Sequence, residues 1–253
     1  MEIRFAHKTE KEILKNIWKT VFNEDEFYLN YKFSSFVAEN TVVAVVDEEI
    51  AGMVHFDPCI MSDNSLSAYL NGVSVLEKYR NNNIASKMLC FLHSYLKDHN
   101  YSFCFLKPAI SNFYEKFGYK TVFSPQIVKS LPEKKCKYTL TDYNYEKIFR
   151  KKCFESDLYL QRTKQNFEKI ISLYKNYNGD ILCFKDKEEL AGYIIYFPEN
   201  KKIVIEEAVS LKEDFLPSIM YYFDESPLIN ELPVMVKELN NKFNFKNPFI
   251  KVI

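Results

Sequence analysis

Glycine is scarce in this 253-residue sequence, 5 in all, tryptophan occurs once, and neither charge is in excess, since 34 Lys and Arg balance 34 Asp and Glu. So little glycine excludes collagen-like and glycine-rich low-complexity chains. Without net charge there is no global field to hold a nucleic-acid backbone or an anionic membrane, so neither partner is expected. Long apolar runs are also missing. Thr41 to Val46 and Tyr193 to Phe197 fall far short of the roughly 20 residues of a membrane helix. The opening MEIRFAHKTEKE has no signal-peptide core, so a cytoplasmic location is expected. The cysteines, Cys59, Cys90, Cys104, Cys136, Cys153 and Cys183, follow no C-x-x-C or Cys/His spacing. Reduced thiols are expected, with no disulfide and no metal.

What is present is an ordinary hydrophobic share of 47%, a charged share of 27% and a high aromatic share of 16%. The length suits two domains of roughly 125 residues each. Glu2 to Phe5 reads as a strand, and Thr9-x-x-Glu12 has the form of a capping box. Behind it Ile13, Leu14, Ile17, Val21 and Phe22 recur at helical spacing, and a second amphipathic segment runs from about Asp25 to Phe36. Asn40 to Val46 and Ile50 to Phe56, joined by Asp47-Glu48-Glu49, predict a hairpin. Ala68 to Val75 predicts a third strand, followed by the polar loop Tyr79 to Asn83 and a helix bearing Ile84, Met88, Leu89, Leu92, Tyr95 and Leu96. Tyr101 to Leu106 reads as a strand, Ser111 to Phe117 as a short helix stopped by Gly118, and Tyr119 to Phe123 as a strand. The expected order is β-α-α-β-β-β-α-β-α-β.

Between Pro125 and Lys137 the composition turns to Pro, Lys and Glu, which suggests a boundary and two units, 1–133 and 134–253. An internal echo supports two related halves. Glu48 to Phe56 resembles Glu188 to Phe197, with Gly52 and Gly192 in matching places, and Gly72-Val73-Ser74 is echoed by Ala208-Val209-Ser210. The copies differ at one place, because Leu211 to Tyr222 has no Arg followed by a Gly- or Asn-rich turn. The second half is therefore expected to hold no phosphate in that manner.

A helix start after a tight turn offers unpaired N–H groups and a positive dipole end to a pyrophosphate. Arg80 to Ser86 supplies that arrangement. Its pattern Arg80-x-x-Asn83-Ile84-Ala85 resembles the acyl-CoA loop of the GNAT N-acetyltransferases, and Val73-Ser74-Val75 resembles the strand that pairs with the pantetheine arm. Phe113-Tyr114-Glu115-Lys116-Phe117-Gly118-Tyr119 is similar to a second signature found in Eis-like members. The family's middle glycine is Asn83 here, and Asn is the non-glycine residue that best tolerates a left-handed backbone.

The resemblance implies an α/β fold of two tandem GNAT-like units, each a mixed, mostly antiparallel sheet flanked by helices. It implies acetyl-CoA as acyl donor, bound through Val73, Ser74, Val75, Arg80, Asn81, Asn82, Asn83, Ile84, Ala85, Ser86 and Asn112, with no metal. An amine of a small molecule, aminoglycoside-like or polyamine-like, would attack the thioester directly. Tyr114 would protonate the departing thiolate, and backbone N–H groups at a strand bulge near Val75 would meet the oxyanion. The first unit would be catalytic, and the second would help to wall the acceptor pocket.

Ser111 and Asn112 either cap the Tyr114 helix, contact the CoA arm, or do both, capping being the commoner role. The strand Ala68 to Val75 offers no Glu as general base, His55 and Asp57 are substitutes, and a scaffold role is the commoner fate of such a His. The acidic run Glu24-Asp25-Glu26 either draws a cationic acceptor or starts a helix. Eis-like members continue into a sterol-carrier-like domain, whereas this sequence stops at Asn247 to Ile253. The competing reading is a non-catalytic acyl-CoA-binding or regulatory module. A tandem-GNAT aminoacyl transferase is disfavoured by the absence of a basic stripe, and the oligomeric state, homo-oligomer included, is open.

Overall fold

The computed structural model describes residues 1–123, 136–142, 144–223, 227–229, 233–246 and 248–249. They form two compact units, Met1–Val122 with Val234–Asn244, and Phe123–Pro233 with Phe245–Ile253. The boundary expected at 133/134 lies outside the described residues, as do Asn247 and residues 250–253 of the terminal segment. A contiguous unit over 134–253 does not fit, because a strand near its end, Val234–Glu238, is paired within the first sheet.

The first unit follows the expected order: β1 (Glu2–Phe5), α1 (Lys11–Phe22), α2 (Glu26–Ser34), β2 (Thr41–Val46), β3 (Glu49–Ile60), β4 (Leu66–Val75), α3 (Ile84–Asp98), β5 (Phe103–Leu106), α4 (Ser111–Glu115) and β6 (Lys120–Phe123). The second supplies β7 (Thr139–Thr141), α5 (Tyr145–Phe154), β8 (Leu158–Tyr159), α6 (Lys164–Asn176), β9 (Asp180–Asp186), β10 (Glu189–Glu199), β11 (Lys202–Ser210), α7 (Phe215–Ile219) and β12 (Leu228–Ile229). The chain then runs through β13 (Val234–Glu238) to β14 (Pro248–Phe249). The first sheet has the order β1-β2-β3-β4-β5-β13-β6 and the second β12-β11-β10-β9-β7. The chain therefore leaves the first sheet after β6 and returns to fill the place between β5 and β6.

The β2–β3 hairpin turns through Asp47 (φ 49) and Glu48 (φ 66), the left-handed pair of a two-residue turn that matches strand twist. The helix start differs from the capping box expected at Thr9 and Glu12. Glu10 accepts from the His7 backbone N–H at 2.7 Å and is gripped by Arg4, so the turn begins two residues earlier. The face of α1 that is buried carries Leu14, Ile17 and Trp18, while Ile13 and Phe22 are exposed. On α3, Met88, Leu89, Leu92 and Leu96 are wholly buried against Val42, Val54, Phe56 and Leu70, each side chain worth roughly 1.5–3 kcal/mol on burial. The opposite face of the sheet carries Val43 and Met53 against α1 and α2.

The second unit repeats this plan without its long helix. Strand β7 pairs antiparallel with β9 as β1 does with β2, two helices intervene in each case, and β12 runs parallel to β11 as β5 does to β4. The echo reaches side-chain detail. A Cβ on Gly52 would lie 2.5 Å from the Ser74 carbonyl oxygen, and one on Gly192 2.5 Å from that of Val209. Lys78 bonds Glu49 at 2.6 Å, and Lys212 bonds Glu189 at 2.5 Å. The register sets Gly52 opposite Val75 and Gly192 opposite Ser210, so Val75 corresponds to Ser210, one residue later than the sequence echo suggests.

Candidate active site

Strand β4 pairs with β5 only from Ser67 to Leu70, opposite Phe103 to Leu106. Beyond Leu70 the pairing ends, because β5 stops at Leu106, and Asn71 to Val75 continues along β3 alone. Within that stretch the register slips, with Met53 opposite Ser74 but His55 opposite Asn71, so β4 carries one extra residue at Gly72–Val73. The bulge thus lies two to three residues before Val75, where sequence reasoning expects it. Gly72 takes φ +61, and the Trp18 ring lies where its Cβ would stand. A bulge leaves backbone donors outside the ladder and reverses which face the following side chains occupy. Val73 and Val75 accordingly pack with Ile84 and Tyr114 around the α3 core, whereas Ser74 lies on the other face, opposite Met53.

The loop after β4 closes on itself. Arg80 Nε donates to the Val75 carbonyl at 3.3 Å, and Asn82 Nδ2 donates to the carbonyls of Tyr79 and Arg80. Asn81 (φ 67) and Asn83 (φ 58) are both left-handed, so Asn83 adopts the conformation for which glycine is the usual residue. Asn83 is the N-terminal cap residue of the 15-residue α3 and makes no side-chain cap bond. The first intrahelical bond is received by the Asn83 carbonyl from Lys87, and a helix has no partner of its own for its first N–H groups. Ile84 is buried, Ala85 and Ser86 are half-buried, and Arg80 to Asn83 are exposed.

Tyr114 lies in α4, its ring edge-on to Phe113 at 4.9 Å and to Tyr119 at 5.8 Å. Burial pushes its phenol up to about 12, so it holds its proton at neutral pH. Ser111 and Asn112 are the first residues of α4 and make no cap bond, contrary to expectation; Asn112 is exposed. Beneath Tyr114 lies a buried chain that sequence reasoning passes over. Tyr119 hydroxyl donates to Cys104 Sγ at 3.2 Å and meets His93 Nε2 at 2.9 Å. Burial, aided by Lys237, lowers His93 to about 3.

On the α1/α2 face, His55 Nδ1 meets Thr41 Oγ1 at 2.8 Å and its Nε2 meets Asp57 Oδ1 at 3.2 Å. Asp57 Oδ2 accepts from Lys32 at 3.0 Å and from Asn71 Nδ2 at 2.7 Å. Burial alone would raise the Asp57 carboxyl, but the His55 bond and the Lys32 charge outweigh it and hold it well below the usual range. With both ring nitrogens engaged, His55 is a scaffold residue. The acidic run is equally structural. Asp25 caps α2 by accepting from Tyr28 N–H, and Glu26 takes Lys15 and Lys19. Glu24 is half-buried, and burial with neighbouring Asp25 raises it.

At the corresponding place in the second unit, α7 has 5 residues. Its cap residue Asp214 accepts from Tyr138 and pairs with Lys137, each at 2.6 Å, and the Phe215 ring fills the space over Gly192. A carboxylate at a short helix start repels an anion. The rest of the unit turns inward on Arg162 and Glu207, a bidentate pair at 2.9 and 3.0 Å that Tyr193 joins at 2.5 Å.

Residues 2–122 match the model of the acetyltransferase (GNAT) domain. No curated protein sequence matches the chain. Among solved structures, a probable N-acyltransferase of Enterococcus faecalis is 14% identical with a TM-score of 0.67, covering 94% of this chain and 72% of that one. A GCN5-related N-acetyltransferase of Anabaena variabilis is 16% identical with a TM-score of 0.64, covering 94% and 73%. Eis1 of Mycobacterium abscessus is 11% identical with a TM-score of 0.58, covering 94% and 72%. At these identities the likeness establishes the fold, and it spans both units of the chain.

Proposed function

The first half of this chain belongs to the GNAT acetyltransferase family, and on that premise we propose that it moves the acetyl group of acetyl-CoA to an amine of a small molecule. Acetyl-CoA supplies the activated acyl thioester and the thiol leaving group. The observation that carries the reading is the conjunction of three features around one core: the stretch of β4 that runs unpaired past the end of β5, the doubly left-handed Asn loop, and the protonated phenol of Tyr114. The N–H groups of Asn81 to Ser86 and the positive end of α3 suit the pyrophosphate, and the exposed Arg80 adds charge. The opened edge at Val73, Ser74 and Val75 suits an extended amide arm that pairs as a strand would. Asn112, at the exposed start of α4, would contact the arm.

In the chemical step an amine lone pair attacks the acyl carbon to form the C–N bond, the C–S bond breaks, the departing thiolate takes a proton, and the proton shed by the acylated nitrogen passes through solvent to restore the proton donor. Tyr114 holds that proton, and N–H groups freed by the bulge at Gly72–Val73 face the developing charge. The second unit holds no donor, since Asp214 and Phe215 occupy the equivalent helix start. The departure at Asn83 gives little ground for a non-catalytic module, because the Asn takes the conformation the loop needs. A screen of amines, among them spermidine, kanamycin and n-butylamine, with acetyl-CoA and a thiol-release readout tests the proposal. Thiol release that depends on an added amine is expected, and its absence across a broad panel despite acetyl-CoA binding favours the binding-module reading.

A further inference from the structure

Among the described residues, the buried side-chain oxygen or nitrogen atoms without a hydrogen-bond partner are Ser65 Oγ, Ser67 Oγ, Asn71 Oδ1 and Ser74 Oγ, all on β4 or the residue before it. A buried amide oxygen without a partner costs about 1–3 kcal/mol. Asn71 differs from the serines because a hydroxyl can rotate toward whatever is near, whereas the orientation of this amide is fixed. Its Nδ2 donates to Asp57 Oδ2 at 2.7 Å. Turning the amide over would set two acceptor oxygens against each other. The Asp57 charge, itself anchored by His55 and Lys32, also polarises the amide and makes Oδ1 a stronger acceptor.

The position is equally specific. Asn71 is the first residue of β4 beyond the last pair with β5 and directly precedes the bulge. It stands opposite His55, and Ser74 stands opposite Met53, which packs with α1 and α2. Asn71 and Ser74 therefore face away from the core on which Val73, Val75 and Tyr114 pack. An amine seated against Asn71 on the α1/α2 face, once the cover that buries the atom opens, would find an oriented carbonyl oxygen that accepts and has nothing to donate.

We propose that Asn71 Oδ1 is the hydrogen-bond acceptor that orients the acceptor amine, with Asp57 as a positioning residue that sets the amide; this rests on the acetyl-transfer reading above. The neutral nitrogen gives one N–H to Asn71 and keeps its lone pair for the acyl carbon. The substrate class that fits is a primary or secondary amine, and a tertiary amine, which has no N–H in its neutral form, is excluded.

The test compares two ligands by calorimetry on the full chain: CoA, and a conjugate whose sulfur carries CH2–CO–NH–butyl, so that an N–H stands where the acceptor nitrogen would. In the wild type the conjugate should bind more tightly than CoA. In Asn71→Leu that advantage should fall about tenfold, the size of one lost hydrogen bond to a polarised partner, while CoA affinity holds within about twofold. Asn71→Ala serves if the Leu variant does not fold. Asp57→Asn should lose part of the advantage and leave CoA binding intact. An equal conjugate-to-CoA ratio in wild type and Asn71 variants overturns the inference and leaves the donor site standing. If the wild type binds neither ligand, the donor site fails and the inference with it.

Discussion

Replacing Gly72 by alanine perturbs the unpaired stretch of β4 at its bulge. Its φ of +61 costs an L residue about 1–2 kcal/mol. The new Cβ would lie 2.3 Å from Trp18 Cζ3 and 2.8 Å from Cε3 and Cη2. The Trp18 ring is 4% exposed and stands edge-on to Phe33, so it has no room to withdraw. Overpacking of this kind costs about 1–3 kcal/mol, which brings the expected loss to roughly 2–5 kcal/mol, a large share of a typical stability of about 5–15 kcal/mol. Gly118 is the internal control. Its φ is +84 but the nearest atom is the end of the flexible Lys237 side chain at 3.4 Å, so Gly118→Ala should cost only the backbone share, about 1–2 kcal/mol. Urea unfolding followed by fluorescence of the single tryptophan, Trp18, reads the first unit directly. In a Trp18→Leu background, which has no tryptophan and is therefore followed by circular dichroism, the cost of Gly72→Ala should fall toward that of Gly118→Ala. Equal losses for the two glycine variants in the wild-type background would refute the packing argument.

Tyr114→Phe should lower amine-dependent thiol release by about 10²- to 10⁴-fold at saturating acetyl-CoA while CoA affinity is unchanged; a loss within about twofold would assign the proton to another group. Because burial holds the Tyr114 phenol at about 12, its active protonated form persists to high pH, and no decline in rate attributable to it should occur below about pH 10. Ala85→Trp, which crowds the start of α3, should weaken CoA binding at least tenfold by titration, whereas Asn83→Gly should preserve or tighten it. His93 remains neutral when folded down to about 3, while in the unfolded chain it takes up a proton below about 6.5. Stability is therefore present above pH 6.5 and lost as pH falls, by about 2 kcal/mol at pH 5, and His93→Gln should remove that share of the slope in urea titrations. Glu207→Leu leaves Arg162 buried without its charge partner and should destabilise the second unit by about 3–5 kcal/mol, read as an earlier thermal transition.

The order of elements in the first unit was legible because each announces itself locally, α3 through its apolar face and the β2–β3 hairpin through an acidic turn between two β-branched runs. Asn83 was legible for the same reason, since its backbone preference is its own. What escaped the sequence depends on distant partners. Val234–Glu238 falls in the half that sequence assigns to the second unit, and nothing in its five residues says that it pairs with Phe103–Leu106. The bulge was misplaced toward Val75 because register arises from both strands and from Trp18 on α1. Glu207 offered a signal, a carboxylate inside a run of apolar strand residues, but its partner Arg162 lies 45 positions away. Asn71 offered almost none, because its oriented amide exists only through Asp57 and its place beyond the end of the β4–β5 pairing.

A crystal structure of the chain with CoA tests the central claim most directly. The pyrophosphate should lie on the N–H groups of Asn81 to Ser86, the pantetheine arm along Val73 to Val75 beyond Leu70 and Leu106, and the sulfur nearer the Tyr114 hydroxyl than any other phenol. CoA seated on Leu211 to Tyr222 of the second unit, or a sulfur remote from Tyr114, would contradict it.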